Sequence, residues 1–453
     1  MSGRYKAYGE YKDSGVEWLG EIPREWSVLM GKRIFSSIRK TALKDDVQLA
    51  VSQKYGVLPQ SLMMLLNDSK VMLALKGTDS FRHVDQNDFV ISLRSFEGGI
   101  EYSKYSGCVS PAYTVLNNVK KISHNYYKYL LKCAPFISAL QSTTDSLRDG
   151  KSISYEQFGA ICLPLTRLSE QNQIAAFLDH ETAKIDTLID KQQQLIELLK
   201  EKRQAVISHA VTKGLDPDVP MKDSGVEWLG EVPEHWTIKK SKYFFDFVTS
   251  GSRGWADYYS DDGPIFFRIA NLTRESIDPK LISIQRVTVP HGSEGVRSKI
   301  QKNDILISIT ADLGSVCVAD NSIYDGYVSQ HISLCRPNEL VKSSRWLAYC
   351  IISDSTKEQL LGVGYGGTKI QLSLEDIKEF ILCFPPLDEQ EFIASYLDKE
   401  LLNFEKLDDI AQQQIELLKE RRTALISAAV TGKIDVRDWQ VPVTQTESDE
   451  VMA

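Results

Sequence analysis

One ten-residue stretch occurs twice in this chain and restricts how the chain can fold. KDSGVEWLGE runs from Lys12 to Glu21 and recurs unchanged from Lys222 to Glu231. Identity over ten positions at a spacing of 210 indicates a tandem duplication, so we expect two related halves. Turn residues between large apolar ones predict that each copy is an irregular strap, pinned by its own tryptophan and by the one that follows. The anchoring tryptophans are Trp18 and Trp26 in the first strap and Trp228 and Trp236 in the second.

A longer repeat follows each strap at a distance. Leu168–Thr212 aligns without gaps on Leu387–Thr431, with 25 identities in 45 positions. Apolar residues recur every three or four positions, which predicts a long helix with one apolar stripe in each copy. A helix of about 40 residues is about 60 Å long, and the other copy is a partner of matching length for an antiparallel pair. The stripe residues expected at the helix-pair or subunit interface are Ile185, Leu188, Ile196, Leu199, Phe404, Leu407, Ile415 and Leu418.

The segments between the repeats have diverged, and we call them the two heads, residues 27–163 and 237–384. Short β-like runs followed by helical patterns predict that each head is α+β. The predicted architecture is two α/β domains separated by the two antiparallel paired helices, with pseudo-twofold symmetry and a circular arrangement. The second strap directly follows a long helix in sequence, whereas no helix precedes the first strap. In a circular arrangement the end of the C-terminal helix takes that place in space, so Trp18 and Trp26 should lie near residues 430–435. The predicted boundaries are 1–165 for the first domain (strap 12–26), 166–215 for the first spacer, 216–384 for the second domain (strap 222–236), 385–435 for the second spacer and 436–453 for a disordered acidic tail.

Composition and charge narrow the class of protein. The chain is 42% apolar and 25% charged, and no run of 18 apolar residues predicts a membrane span. The first residues lack the apolar core of a signal peptide, and seven scattered cysteines without a CxxC motif predict reduced thiols in a cytoplasm. The net charge is +6 over residues 28–163, zero over residues 237–384 and −14 over the remainder. The basic first head favours a polyanionic partner, although ordinary scatter of surface charge explains it equally well.

A search for catalytic motifs finds none. The segment 362–369 has glycines at a phosphate-loop spacing, but it ends in Thr-Lys where a P-loop requires Lys followed by Ser or Thr. The histidines form no HxxxH or HExxH pair, so no metal site is predicted. Asp261 and Asp262 are the one acidic pair that would suit a nuclease, but Gly263 and Pro264 beside them predict a surface turn.

Recognition is the remaining possibility. Arginine and lysine suit phosphates and guanine edges, whereas asparagine and glutamine suit adenine. For any single residue a solvated charge is the commoner explanation, but clusters of such residues in predicted loops favour nucleic-acid contact. The candidate DNA-binding residues are Lys54, Arg82, Arg94, Lys104, Arg148, Lys151 and Ser152 in the first head, and Arg253, Arg268, Asn271, Arg274, Arg297, Lys299, Gln330, Tyr365, Gly367, Thr368, Lys369 and Gln371 in the second.

The chain resembles the specificity subunits of type I restriction–modification enzymes. The resemblance is carried by the duplicated decapeptide with its following proline and tryptophan, by Pro385–Gln390 at a helix start, and by the helical runs QQQLIELLKEKR and QQQIELLKERR. It extends from Lys12 to about Asp435. One departure is the stretch 163–171, where the double proline of the second copy is replaced, so the start of the first helix is less sharply defined.

The resemblance implies a DNA-binding subunit of a host-defence system. It implies that each head is a target recognition domain for one half of a split, asymmetric double-stranded DNA site. It further implies that the helices dock two methylation subunits, which restriction subunits join, and that S-adenosylmethionine, ATP and magnesium act on those partners while this chain has no catalytic residue. Two other hypotheses are a scaffold that assembles a methyltransferase complex without reading DNA, and a metal-dependent nuclease.

Overall fold

The computed structural model describes residues 5–67, 80–143, 153–251, 253–289, 293–363 and 371–441. The chain divides into two compact units, residues 1–192 with 413–453 and residues 193–412. Each unit contains one strap, one head and a part of each long helix. The mixture of helices and strands confirms the predicted α+β class.

The first unit contains the strands β1 (Tyr11–Asp13), β2 (Glu21–Pro23), β3 (Ser27–Met30), β4 (Phe35–Ser36), β5 (Leu49–Ser52), β6 (Gly56–Pro59), β7 (Arg82–Val84), β8 (Phe89–Ile91), β9 (Glu101–Tyr102), β10 (Gly107–Val109), β11 (Thr114–Asn118) and β12 (Cys162–Leu165). Its helices are α1 (Gln60–Asn67), α2 (Ser95–Gly98), α3 (His124–Leu130), α4 (Ala134–Ser142) and α5 (Tyr155–Ala160). The long helix α6 (Leu168–Lys213) begins in this unit and ends in the second.

The second unit contains the strands β13 (Met221–Asp223), β14 (Glu231–Pro233), β15 (Thr237–Lys240), β16 (Phe245–Ser250), β17 (Tyr259–Phe267), β18 (Arg286–Val287), β19 (Ile305–Ser308), β20 (Val316–Val318), β21 (Tyr327–Val328), β22 (Ile332–Pro337) and β23 (Ile381–Phe384). Its helices are α7 (Ser293–Ser298), α8 (Ser344–Ile352), α9 (Asp354–Val363) and α10 (Leu374–Lys378). The long helix α11 (Leu387–Val430) begins here and ends in the first unit.

Each strap is a short antiparallel hairpin, so the prediction of an irregular segment was wrong. Lys12 pairs with Ile22 in β1–β2, and Lys222 pairs with Val232 in β13–β14. The chain reverses between the strands through glycines with positive φ, at 67° for Gly15 and 56° for Gly20, a conformation that other residues adopt at a cost.

The two heads share one frame. Each contains a four-stranded sheet, in the order β4-β11-β8-β9 in the first head and β16-β22-β19-β20 in the second. A buried aspartate precedes the same strand in both, and the neighbouring strand holds it: Asn117 Nδ2 donates to Asp88 at 2.7 Å, and Arg336 Nε donates to Asp304 at 2.9 Å. The duplication therefore extends into the heads as structure, although little of their sequence still matches.

The heads differ in the layer beside this sheet. In the first head β7 pairs with β10 in antiparallel fashion, and β5 and β6 form a separate hairpin. In the second head β17 pairs in parallel with β21 and in antiparallel fashion with β18. A constant sheet therefore carries two unlike outer layers.

Parts of both long helices pair in antiparallel fashion within each unit. In the first unit Arg422 Nε donates to Asp186 at 2.8 Å, and Ile185 shares a core with Leu425. In the second unit Leu199 packs on the core that contains Phe404. Of the predicted stripe residues, Ile185, Ile196, Phe404 and Ile415 are buried, Leu199 and Leu418 are half-buried, and Leu188 and Leu407 are 46% and 48% exposed.

The first strap lies against the end of α11, as a circular arrangement requires. A Cβ added at Gly432 would stand 3.2 Å from the Trp26 ring, and Asp435 N donates to Lys6 O at 2.8 Å. The second strap repeats the contact, because a Cβ added at Gly214 would stand 3.3 Å from Trp236. The expectation is thus confirmed for Trp26, whereas the Trp18 ring packs on Phe136.

Candidate nucleic-acid interface

A basic hairpin tip projects from the first head. Lys54 is exposed at the turn between β5 and β6, and the Gln53 side chain beside it donates to the carbonyl oxygen of Arg94 at 3.3 Å. The structure therefore brings together Lys54 and Arg94, two residues that the sequence analysis selected separately.

A buried ion pair holds this tip. Lys132 Nζ donates to Gln53 O at 2.8 Å and to the Glu101 carboxylate at 2.6 Å. Burial raises the pKa of the Glu101 carboxyl to about 7, against the opposing effect of the Lys132 ammonium. The position of Lys54 thus depends on a carboxylate that is only 1% exposed.

Arg82 forms a second basic corner, on β7. It lies directly opposite Val109 of β10, and its Nη1 is 3.5 Å from Thr114 Oγ1. Its Nε is buried and has no hydrogen-bond partner among the described residues. Burial lowers the pKa of the Arg82 guanidinium, and the charge of Arg39 lowers it further.

The corner continues into a charged cluster around His83. The ring of His83 lies 2.8 Å from Asp46 and 3.1 Å from Asp85. Burial lowers the pKa of His83, but the hydrogen bonds to the two carboxylates outweigh burial and raise it. Lys40 donates to Asp85 at 2.5 Å, and Arg82 has no ion pair with either carboxylate among the described residues.

Candidate residues of the second head gather around β21. Arg268 directly follows Phe267, which pairs with Val328. Lys299 bridges to Tyr327 on the same strand, and Gln330 lies just beyond the strand end, 2.9 Å from the ring of His331. Arg268 Nε is also buried without a partner among the described residues, as is the hydroxyl of Ser329.

Asn271 lies inside the second head. It is fully buried, its amide donates to Lys280 O at 3.0 Å and to Ser283 O at 2.9 Å, and its Oδ1 accepts from Arg268 N at 3.0 Å. All its polar groups are therefore used to shape the loop after Arg268.

The other candidates are at the surface or outside the described residues. Lys104, Arg253, Arg274, Arg297 and Gln371 are exposed, Arg274 is paired with Asp312, and Lys299 with Asp325 at 2.9 Å. Arg148, Lys151, Ser152, Tyr365, Gly367, Thr368 and Lys369 lie outside the described residues.

Three residues of these basic regions were not predicted from the sequence. Arg39 lies near Arg82, and the doublet of Arg39 and Lys40 was a usable signal. Lys132 and Ser329 carried no local signal, because their roles depend on strands and helices distant in sequence.

Among the described residues, no group of three or more histidines, cysteines, aspartates or glutamates could hold a metal ion. No helix in that part of the chain is long and apolar enough to cross a membrane. All seven cysteines are free thiols.

Comparisons with known proteins agree with this geometry. Residues 296–420 match the model of the type I restriction modification DNA specificity domain. The chain is 22% identical over 311 residues to the type I restriction enzyme EcoBI specificity subunit of Escherichia coli, and 22% identical over 320 residues to the EcoKI specificity subunit of strain K12. Each alignment covers 67% of this chain and only 65% and 64% of the relatives' lengths.

Solved structures share the fold at low identity. A chain from work described as "Structural basis underlying complex assembly and conformational transition of the type I R-M system" superposes with a TM-score of 0.67 at 15% identity, covering 91% of this chain and 99% of that one. The HsdS subunit from Thermoanaerobacter tengcongensis superposes with a TM-score of 0.53 at 15% identity, covering 91% of this chain and 98% of that one.

The solved structures share the two-unit, two-headed fold of this chain. The domain model that matches is that of type I restriction–modification DNA specificity, and the two relatives are type I specificity subunits.

Proposed function

We propose that this chain reads a split, asymmetric double-stranded DNA site, one half with each head. The observation that carries the proposal is that two heads with the same four-stranded sheet carry unlike outer layers, each with a half-buried arginine that has no acidic partner among the described residues. A duplicated frame with two different reading layers suits a target whose halves differ in sequence. Exposed lysines and arginines near these corners would supply the phosphate contacts.

In this proposal the chain recognises DNA and its partners perform the chemistry. Two methylation subunits and the restriction subunits would bind S-adenosylmethionine, ATP and magnesium. The seven free cysteines agree with a reducing compartment, which we propose is the cytoplasm.

Exposed apolar residues on the long helices are suited to docking those partners. Leu188 and Leu417 are exposed in the first unit, and Leu198, Leu407 and Ile410 in the second. Isolated exposed leucines are ordinary, but several along two helices form a surface that a partner helix can cover.

One end of this surface differs between the units. In the first unit Phe177 is 1% exposed, because the rings of Tyr5 and Trp439 pack on it at 5.4 and 5.5 Å. At the repeat-equivalent position of the second unit, Tyr396 is 40% exposed, and its neighbour Phe392 is 70% exposed. The second unit therefore offers the larger apolar surface to a partner.

Exchange of one head tests the proposal. Residues 237–384 are replaced by the corresponding head of a relative, and modified adenines are mapped in a host that carries the complete system. One half of the recognised sequence should change while the other half stays. An unchanged site would show that the second head does not read DNA.

The exposed helix leucines also suit a second candidate, a scaffold that assembles the complex without reading DNA. That scaffold forms the complex but adds no salt-dependent DNA affinity. A titration of the assembled complex with DNA at two salt concentrations separates the candidates, since DNA reading predicts weaker binding at the higher salt concentration.

A further inference from the structure

Two half-buried arginines, one in each head, stand apart from the other half-buried arginines. Arg336 pairs with Asp304, Arg345 with Asp278 and Asp398, and Arg422 with Asp186. Arg82 and Arg268 combine two features among the described residues: neither has an ion pair, and each has a buried Nε without a hydrogen-bond partner. Arg286 and Arg421 are half-buried and also have no ion pair in that part of the chain, but neither has such an Nε. Arg203 has the same unpaired Nε, but its Nη2 donates to the Glu275 carbonyl and Glu405 lies nearby.

The two arginines lie beside equivalent strands of their heads, on neighbouring strands that run in different directions. Arg82 lies opposite Val109 in an antiparallel pair, whereas Arg268 follows the residue that pairs in parallel with Val328. Val109 and Val328 are equivalent in the duplication, since each is followed by serine and precedes the matching strand, β11 or β22. Strands of opposite direction thus bring an arginine next to the equivalent strand in each head, at positions one residue apart, which inheritance of a sequence position does not explain.

The surroundings of both arginines call for hydrogen-bond acceptors. An N–H group buried without a partner costs free energy, and a guanidinium prefers two adjacent acceptors that match its planar fork. The positive charge of Arg39 acts on Arg82, and next to Arg268 the Ser329 hydroxyl is also buried and unpaired among the described residues. Among the described residues no acceptor binds either Nε, so each guanidinium has an N–H group that a ligand with acceptors can use.

We propose that Arg82 and Arg268 each read a guanine, one in each half of the DNA site, through the O6 and N7 atoms of its major-groove edge. This inference rests on the proposed function. Guanine offers two adjacent acceptors in the geometry of the arginine fork. A phosphate contact needs only positive charge, which exposed residues such as Lys54 and Arg94 supply without burial. Each half-site therefore contains a G·C pair that depends on one of these arginines.

The test compares Arg82→Lys and Arg268→Lys, which keep the charge but remove the fork, in the complex assembled with its partner subunits. Selection from a randomised duplex library defines the preferred sequence of each complex. With Arg82→Lys, preference for guanine at one position should fall about 10- to 100-fold in one half-site only. Arg268→Lys should do the same in the other half-site. Arg24→Lys, an exposed arginine of the first strap, is the matched control and should change nothing.

Other outcomes overturn the inference. An unchanged preferred sequence would show that neither arginine reads a base. A second contrary outcome is DNA affinity that falls equally on all sequences. If alanine variants also reduce the slope of affinity against salt concentration by about one phosphate contact, the arginine binds a phosphate instead. If a lysine variant does not fold, Arg82→Gln replaces it, and preference should then move from guanine toward adenine at that position. A wild-type complex that selects no sequence would refute the proposed function itself.

Discussion

At the scale of single residues, Glu101 makes the clearest prediction about pH. Its folded-state pKa is raised from 4.5 to about 7, so it stabilises the fold below the unfolded value and loses that contribution as pH rises through about 7. Relative to Glu101→Gln, the free energy of unfolding of the wild type should fall by on the order of 2–3 kcal/mol between these pH values. Urea unfolding at a series of pH values measures the difference.

Glu97→Gln is the control for this prediction, because Glu97 is exposed in the neighbouring helix α2. Its unfolding curve should follow the wild type at every pH. If the curves of Glu101→Gln and the wild type stay parallel, Glu101 does not titrate in this range.

Trp26 makes a second prediction at this scale. Glu170, only 8% exposed, accepts a hydrogen bond from Trp26 Nε1 at 3.0 Å and another from the Tyr8 hydroxyl at 2.7 Å. Trp26→Phe keeps an aromatic ring but removes a donor to a buried carboxylate, so it should cost about 1–3 kcal/mol of stability. Chemical denaturation of the purified chain provides the value.

The duplication supplies the matched variant, Trp236→Phe. Trp236 Nε1 donates to Glu389 at 2.9 Å, but that carboxylate is 37% exposed and also contacts His235. Water can replace the lost donor there, so the loss of stability should be smaller than for Trp26→Phe. Equal losses would mean that burial of the carboxylate does not set the cost.

At the scale of elements, the long helices were the most predictable part of the chain. Their apolar period of three to four residues locates both helices, and the structure starts and ends them at Leu168–Lys213 and Leu387–Val430. The predicted apolar stripe is wider than the surface buried between the helices, since Leu188 and Leu407 are exposed while Ile185 and Ile415 are buried. A single partner helix buries only a narrow row of residues, here called the helix seam, and the sequence alone does not show which residues of the stripe belong to it.

The outer layers of the heads were the least predictable part. Periodicity indicates that strands exist, but it does not give their partners or directions. Arg82 and Arg268 were both selected as DNA-binding candidates, yet their places beside equivalent strands depend on an antiparallel pair in one head and a parallel pair in the other. Asn271 was selected as a DNA-binding candidate, but it is fully buried. Its amide donates to the carbonyl oxygens of loop residues 9 and 12 positions away, and the sequence does not indicate these contacts.

The helix seam makes the third prediction. Ile185→Asp places a charge at a position that is 3% exposed, so it should destabilise the first unit by several kcal/mol. Leu199→Asp and Leu418→Asp, at half-buried positions, should have intermediate effects. Thermal unfolding of the purified variants ranks them.

Leu188→Asp on the same helix is the control and should leave stability within about 0.5 kcal/mol. The same variant should weaken assembly with the methylation subunits, measured by co-purification, if the exposed leucines dock them. Normal assembly of Leu188→Asp would remove Leu188 from the proposed docking surface.

At the scale of the whole molecule, the duplication separates what must stay constant from what can vary. In each unit a lysine at the end of one long helix donates from Nζ to two carbonyl oxygens of the strap. Lys433 donates to Leu19 and Glu21 in the first unit. Lys213 donates to Leu229 and Glu231 in the second unit. The order of glycine and lysine is reversed between the copies, yet the contacts agree. The straps and helix ends are thus tied to each other, whereas the outer layers of the heads can change with little effect on these contacts.

The contact between the two terminal segments makes the last prediction, a permuted chain. Both terminal segments lie in the first unit, where Asp435 N donates to Lys6 O at 2.8 Å and the Arg437 guanidinium lies 4.9 Å from the centre of the Tyr8 ring. In the second unit the segment 215–220 connects the end of α6 to the second strap. In the first unit the end of α11 and the first strap are not connected, and the two terminal segments take the place of that connection. A chain opened within 215–220, with residues 441 and 5 joined by a short flexible linker, should therefore fold and keep the wild-type pattern of modified adenines.

A chain opened between Gln192 and Gln193, inside α6, should lose stability because it interrupts a helix of 46 residues. Circular dichroism, thermal unfolding and adenine mapping compare the two, and equal stability of both permuted chains would contradict the role assigned to the continuous helix.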